Sequence, residues 1–277
     1  MYARAATWWT ILRICLEERL VYRGDFALGT LMRFLPIVTQ IFLWTAVFAA
    51  SGQSELGGYR RNQVIAYYLL TMISRAFSSM PGLAGGIARQ IREGEVKKFL
   101  IQPVDMLGFM LLGRIAHKAA YYSVAIGPFA LVFFLCRGYF YDLPPAAGTH
   151  SVATCAAYVA SLLMGFALGY FLEASLGLIG FWWLEVRSLL FVYMLLNFFL
   201  SGHMFPLDML PEPWRSLVYL LPLQYLAYFP AAVFLGKVTG VELLQGLGIE
   251  LAWLLFFVGF ARLMFSRGVK RYSGFGG

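Results

Sequence analysis

Arg75, Glu173 and Glu250 are ionisable side chains set inside otherwise apolar stretches. A carboxyl group at membrane depth can carry a proton, and an arginine there can hold a counter-charge, so together such groups could couple the movement of a solute to an ion. Glu173 and Glu250 are the candidates for that coupling. A structural reading stands beside it, with Glu250 interfacial near the outer end of the last apolar stretch and Glu173 the partner of a basic residue. Arg75 also has two placements: near the cytoplasmic end of its stretch, where its side chain reaches water, or paired inside the protein with Glu173 or Glu250.

A different chemistry is concentrated in IARQIREGEVKKFLIQP, residues 87–103, which gathers Arg89, Arg92, Glu93, Glu95, Lys97 and Lys98 in a chain that is 60% hydrophobic. Ile87, Ile91 and Glu95 fall on one line and Val96, Phe99 and Leu100 on another, so the spacing predicts a short amphipathic helix at the membrane surface. Pro81, Gly82, Gly85 and Gly86 stand before it as breakers, and Pro103 closes it. Its charged side suits docking on a soluble partner. The other reading is a solvated loop between two spans.

Catalytic patterns are missing from the sequence. It has no GxSxG, no HExxH and no GxxxxGK[ST], and His117, His150 and His203 fall in three different segments. The chain is therefore expected to be no enzyme and to bind no metal or cofactor of its own, and ATP-driven work would need a motor on another polypeptide. Cys15, Cys136 and Cys155 have no paired spacing, which points to neither disulfide nor metal.

The elements that must position these residues follow from composition. A mean hydropathy of +0.71 with only 13% charged residues is too apolar for one soluble core, where about 25% charged is usual. The chain reads as an all-α polytopic membrane protein. Residues 1–24 carry Trp8, Leu12, Leu16 and Leu20 every four positions, with Arg13, Glu17, Glu18 and Arg19 on other faces. That is an interfacial amphipathic helix, with acids and arginines that argue against a cleavable signal; packing on a soluble partner is the alternative. Six spans are expected over 28–50, 64–80, 119–136, 152–172, 189–202 and 243–265. Gly165 and Gly169 form a GxxxG suited to close helix contact.

Residues 203–236 behave differently, because Pro206, Pro211, Pro213, Pro222 and Pro230 cut them into apolar pieces too short to span. Short helices broken by proline predict a segment that dips into the membrane from outside and returns. With the N-terminus inside, the outer segments hold only Arg60, Arg61, Arg137, Arg215 and Lys237 of the Lys and Arg residues, and the rest lie in or beside inner segments or within spans. This bias places both termini and residues 87–103 in the cytoplasm. It also accounts for the net charge of +8 without a nucleic-acid stripe.

The chain resembles a permease subunit of the type-2 ABC exporter family, over nearly its whole length. The most specific stretch is SGHMFPLDMLPEPWRSLVYLLPLQYLAYFP, similar to the family's signature through Ser201, Gly202, Phe205, Pro206, Leu207, Leu210, Pro211, Pro222 and Tyr225. EGEVKKFLIQPV resembles a second family pattern through Gly94, Glu95, Val96, Phe99, Leu100 and Pro103, and VKRYSGFGG is similar to the end of one bacterial subgroup. His203 and Met204 depart from the small or apolar residues more usual there.

The resemblance implies an assembly of two permeases and two copies of an ABC ATPase subunit in a bacterial inner membrane. ATP and Mg would be held by the ATPase. Arg92, Glu93, Gly94, Glu95, Lys97, Lys98, Phe99 and Pro103 would then form a coupling helix seated on the ATPase, and Phe205, Pro206, Pro211, Pro222 and Tyr225 would belong to an outer gate. Homodimer and paralogous heterodimer both remain open, as does the substrate, although abundant aromatics suit an amphipathic molecule. The alternative function is a secondary ion-coupled carrier using Glu173 and Glu250, against which stands the lack of an internal repeat.

Overall fold

The structure is a computed structural model that describes residues 2–20, 23–102, 104–141, 152–183 and 185–272. Pro103, the stretch containing His150, and the last residues of VKRYSGFGG lie outside the described residues. Among the described residues the regular structure is helical but for one small hairpin, as an all-α membrane protein should be. Contacts divide it into two units, Met1–Phe42 with Val96–Gly138, and Leu43–Glu95 with Tyr139–Gly277.

In the first unit, α1 (Tyr2–Leu20) packs against α6 (Met106–Leu135). Trp8, Ile11, Leu12, Cys15 and Leu16 form the half-buried stripe that the fourfold spacing implies, while Arg13 and Glu17 pair at 2.9 Å on the exposed side. Gly108 permits the approach, since a Cβ there would come within 3.2 Å of the Trp8 ring. From the start of α2 (Arg23–Ser51), Phe34 meets Phe129 of α6 edge-on, with centroids 6.0 Å apart. The sequence places this third span at 119–136, but α6 begins thirteen residues earlier, at Met106. The reason is an N-cap: the Asp105 carboxylate accepts the Gly108 N–H at 2.6 Å and starts the helix before the polar residues Arg114, His117 and Lys118.

The second unit is built around α7 (Val152–Leu178), which continues into a 3-10 turn at Ile179–Phe181. Against it pack α3 (Arg61–Ser78), α4 (Leu83–Arg92), α10 (Tyr228–Phe234) and α11 (Gly240–Arg271). A two-residue hairpin, β1 (Glu55–Leu56) and β2 (Tyr59–Arg60), turns on Gly57 and Gly58, whose φ of 57° and 79° suit the turn. Between α8 (Arg187–Leu200) and α11, the chain forms a 3-10 turn at Leu207–Met209, α9 (Trp214–Tyr219), a 3-10 turn at Pro222–Leu226, and α10.

Among the described residues, four helical stretches are long and apolar enough to cross a membrane: Phe34–Ser51, Met106–Leu135, Val152–Phe181 and Gly240–Arg271. The segments expected at 64–80 and 189–202 do not reach that standard. Arg61, Asn62, Gln63 and Arg75 make α3 more polar, and α8 has only 14 residues. At 1.5 Å per residue, α6 and α11 are roughly 45 Å long, so each extends past a hydrocarbon core of about 30 Å.

The single helix expected at 87–103 is instead two, α4 and α5 (Lys97–Ile101). Gly85 and Gly86, which read as breakers, lie inside α4. Gly94 at φ 80° ends it: the Gly94 N–H donates to the Ile91 carbonyl at 3.3 Å and the Glu95 N–H to the Gln90 carbonyl at 2.9 Å. That pair of bonds is a Schellman closure, which needs a residue in the left-handed region at the Gly94 position.

Candidate functional site

On the α4 side of its closure, Ile87 and Ile91 are buried while Arg89, Arg92, Glu93 and Glu95 are exposed. Gly177 of α7 makes the seat, for a Cβ there would stand 2.7 Å from the Ala84 carbonyl. On the α5 side, Val96 and Phe99 are buried while Lys97 and Lys98 are exposed, and Phe99 packs on Phe109 at 5.5 Å between centroids. On each side, then, apolar residues are buried and charged ones are exposed. Arg89 and Glu93 approach only to 3.8 Å, both largely solvated, so that pair contributes little to stability.

Arg75, Glu173, Ser78, Tyr193, Met194 and Asn197 line one cavity of about 450 Å³ formed by α3, α4, α7 and α8 with Leu226. Arg75 is exposed, and its guanidinium lies 5.7 Å from the Phe198 ring centroid, a cation–π distance. Of the two partners weighed for Arg75, Glu173 shares its cavity. Glu250 is held elsewhere. It is fully buried on α11, accepts the Ser161 hydroxyl proton at Oε2 over 2.8 Å, and leaves Oε1 without a hydrogen-bond partner.

The proline-broken segment is tied to α3 at three points. Tyr67 and Tyr68 hydroxyls donate to the Gly202 and Met204 carbonyls, and the Ser78 hydroxyl donates to the Leu226 carbonyl at 2.7 Å. The Tyr228 N–H donates to the Ser201 carbonyl at 2.9 Å, closing the segment on itself. Pro222 begins a 3-10 turn and Tyr225 is buried in it, beside Phe229. A Cβ on Gly165 would stand 2.9 Å from the Tyr225 carbonyl and 3.7 Å from Glu250 Oε1, so Tyr225 and Glu250 flank the same glycine. Phe205 is partly buried against this core and Pro206 precedes the turn at Leu207–Met209, whereas Pro211 lies on the exposed side.

Sequence reasoning did not find Asp208. Its carboxylate accepts the Tyr59 hydroxyl proton at 2.9 Å, while Lys237 caps the hairpin through the Gly58 carbonyl at 2.7 Å and lies 4.1 Å from the Tyr59 ring centroid. Burial lifts the Asp208 carboxyl above its ordinary value, against the pull of the Tyr59 hydroxyl and the Lys237 ammonium. The one available signal was Gly57-Gly58, a hairpin turn that delivers Tyr59 to Asp208.

The family model described as ABC-2 family transporter protein matches residues 34–276 of the chain. None of the curated proteins compared with it matches.

Proposed function

Because the chain belongs to the ABC-2 family of transporter proteins, and so is the permease subunit of an ABC transporter, we propose that it works in an ATP-driven exporter that pairs with a separate ATPase. The family assignment is the observation that carries this reading. Arg92, Glu93, Gly94, Glu95, Lys97, Lys98 and Phe99, with Pro103, are its ATPase-coupling residues. Two features support the role: exposed charges beside buried Ile87 and Ile91 in α4, and exposed charges beside buried Val96 and Phe99 at α5.

In the proposed assembly two ATPase copies, holding ATP and Mg, serve two permeases in a bacterial inner membrane, with both termini cytoplasmic. The second permease is a further copy or a paralogue. α8 suits that contact, since none of its residues is buried and Phe191, Leu195, Phe198 and Phe199 are exposed. α3 and α8 complete the six spans. The segment with Phe205, Pro206, Pro211, Pro222 and Tyr225 forms the outer gate, and the Arg75–Glu173 cavity forms part of the substrate path. Closure of the ATPases shifts the permease pair between conformations because the two states contact them differently.

The experiment is Arg92→Ala with Lys97→Ala and Lys98→Ala, reconstituted with the ATPase. Three surface contacts at roughly 0.5–1 kcal/mol each would weaken coupling about tenfold or more, with thermal stability unchanged. ATP-dependent transport at the wild-type rate in this variant would reject the coupling role. Proton-driven transport without any ATPase would favour a secondary carrier instead.

A further inference from the structure

The C-terminal stretch of α11 and the turn after α7 build a groove to which the transport reading gives no role beyond Pro222 at its far end. Ile179, Trp182, Trp183, Phe260, Leu263, Met264 and Arg267 line a concavity of about 320 Å³. A second, of about 280 Å³, shares Ile179, Phe260 and Met264 with it and runs on to Phe257 and Leu221–Leu223. One end therefore presents an arginine together with two tryptophans, and the remainder is almost wholly apolar. Trp183 is 65% exposed.

Beside this groove the turn and α11 are in close contact. Gly268 brings α11 so close to Phe181 that a Cβ would collide with its ring, and Phe181 also packs edge-on against Phe265 at 6.3 Å. The charge is equally one-sided, for no acidic residue follows Glu250 in the sequence, whereas Arg262, Arg267, Lys270 and Arg271 do. The carboxylate of Glu185, just past the tryptophans, accepts the Arg187 backbone N–H at 3.0 Å. From Phe257 to Arg267 the helix rises roughly 15 Å, on the order of half a hydrocarbon core of about 30 Å. That is the depth of one leaflet.

We propose that this groove binds one anionic phospholipid, its phosphate at Arg267 at the end that Trp182 and Trp183 also line, and one acyl chain along Ile179, Phe260 and Met264 toward Phe257. Tryptophan suits the headgroup layer, arginine matches a phosphate with two parallel donors, and the apolar trough fits a single chain. The inference needs only that the chain spans a membrane, and it stands apart from coupling to an ATPase.

The test uses the full transporter in detergent, relipidated with equal amounts of phosphatidylglycerol and phosphatidylcholine of identical chains, with retained lipids counted by native mass spectrometry. Wild type should keep phosphatidylglycerol over phosphatidylcholine by about fivefold, the effect of one well-placed basic residue. Arg267→Gln should remove the preference, and Met264→Trp, which fills the trough, should release the lipid. Lys270→Gln makes the same charge change outside the lining and should keep both. Equal retention of the two lipids by wild type, or equal losses in the Arg267 and Lys270 variants, would overturn the proposal. So would crosslinking from Leu263 to a second protein chain in place of lipid.

Discussion

Glu250 is an acid whose surroundings argue for packing over proton traffic. It has one hydrogen-bond partner, Ser161, and no exposed surface. Glu250→Gln keeps the volume and the Ser161 contact, so ATP-dependent transport and melting temperature should both survive it. Ser161→Ala, by contrast, strips a buried group of its partner and should destabilise by about 1–3 kcal/mol. Loss of transport in Glu250→Gln with the fold intact would return the acid to a coupling role. Asp208 makes a second prediction at this scale. Its folded carboxyl titrates above its ordinary value, so its contribution is fully present below the unfolded pKa and is lost as pH rises through the folded one. Relative to Asp208→Asn, which can still accept the Tyr59 hydroxyl, the wild-type protein should therefore lose melting temperature across that rise. Parallel curves for the two proteins would show that Asp208 does not titrate there.

Helices meet through glycines in this molecule, and which glycines matter is set by what faces them. On α11, a Cβ at Gly246 would run into the Phe229 ring, whereas one at Gly248 meets nothing within 4 Å. Gly246→Ala should lower the melting temperature by several degrees, since overpacking costs about 1–3 kcal/mol. Gly248→Ala should be neutral or stabilising, because alanine is the better helix former. The reverse order would mean that Phe229 of α10 does not face Gly246 of α11. The sequence marks Gly165 and Gly169 as a contact motif, but not their partners, which are the Tyr225 carbonyl beside Glu250 of α11 and the Ser78 carbonyl at the end of α3. Local signals that compete with periodicity explain the other differences. Asp105 starts α6 early, and Gly94 splits an apolar pattern that would otherwise support one helix.

At the scale of the whole molecule, composition was enough for an all-α membrane protein, and the proline-bearing segment after Ser201 carried the family. The charged residues near Gly94 were legible as an exposed group because charge excludes burial. Glu173 was legible only as one of two partners for Arg75 and the Tyr59–Asp208 pair not at all, since each joins residues far apart in sequence through packing that no local period encodes. The most direct measurement is purification of the tagged chain from its own membrane in mild detergent, with partners identified by mass and the eluate assayed for vanadate-sensitive ATP hydrolysis. The account predicts a co-purifying P-loop ATPase with activity, lost from the Arg92, Lys97 and Lys98 triple variant while the permease remains folded. A folded chain that emerges alone and without activity, under conditions that keep known transporters assembled, would contradict it.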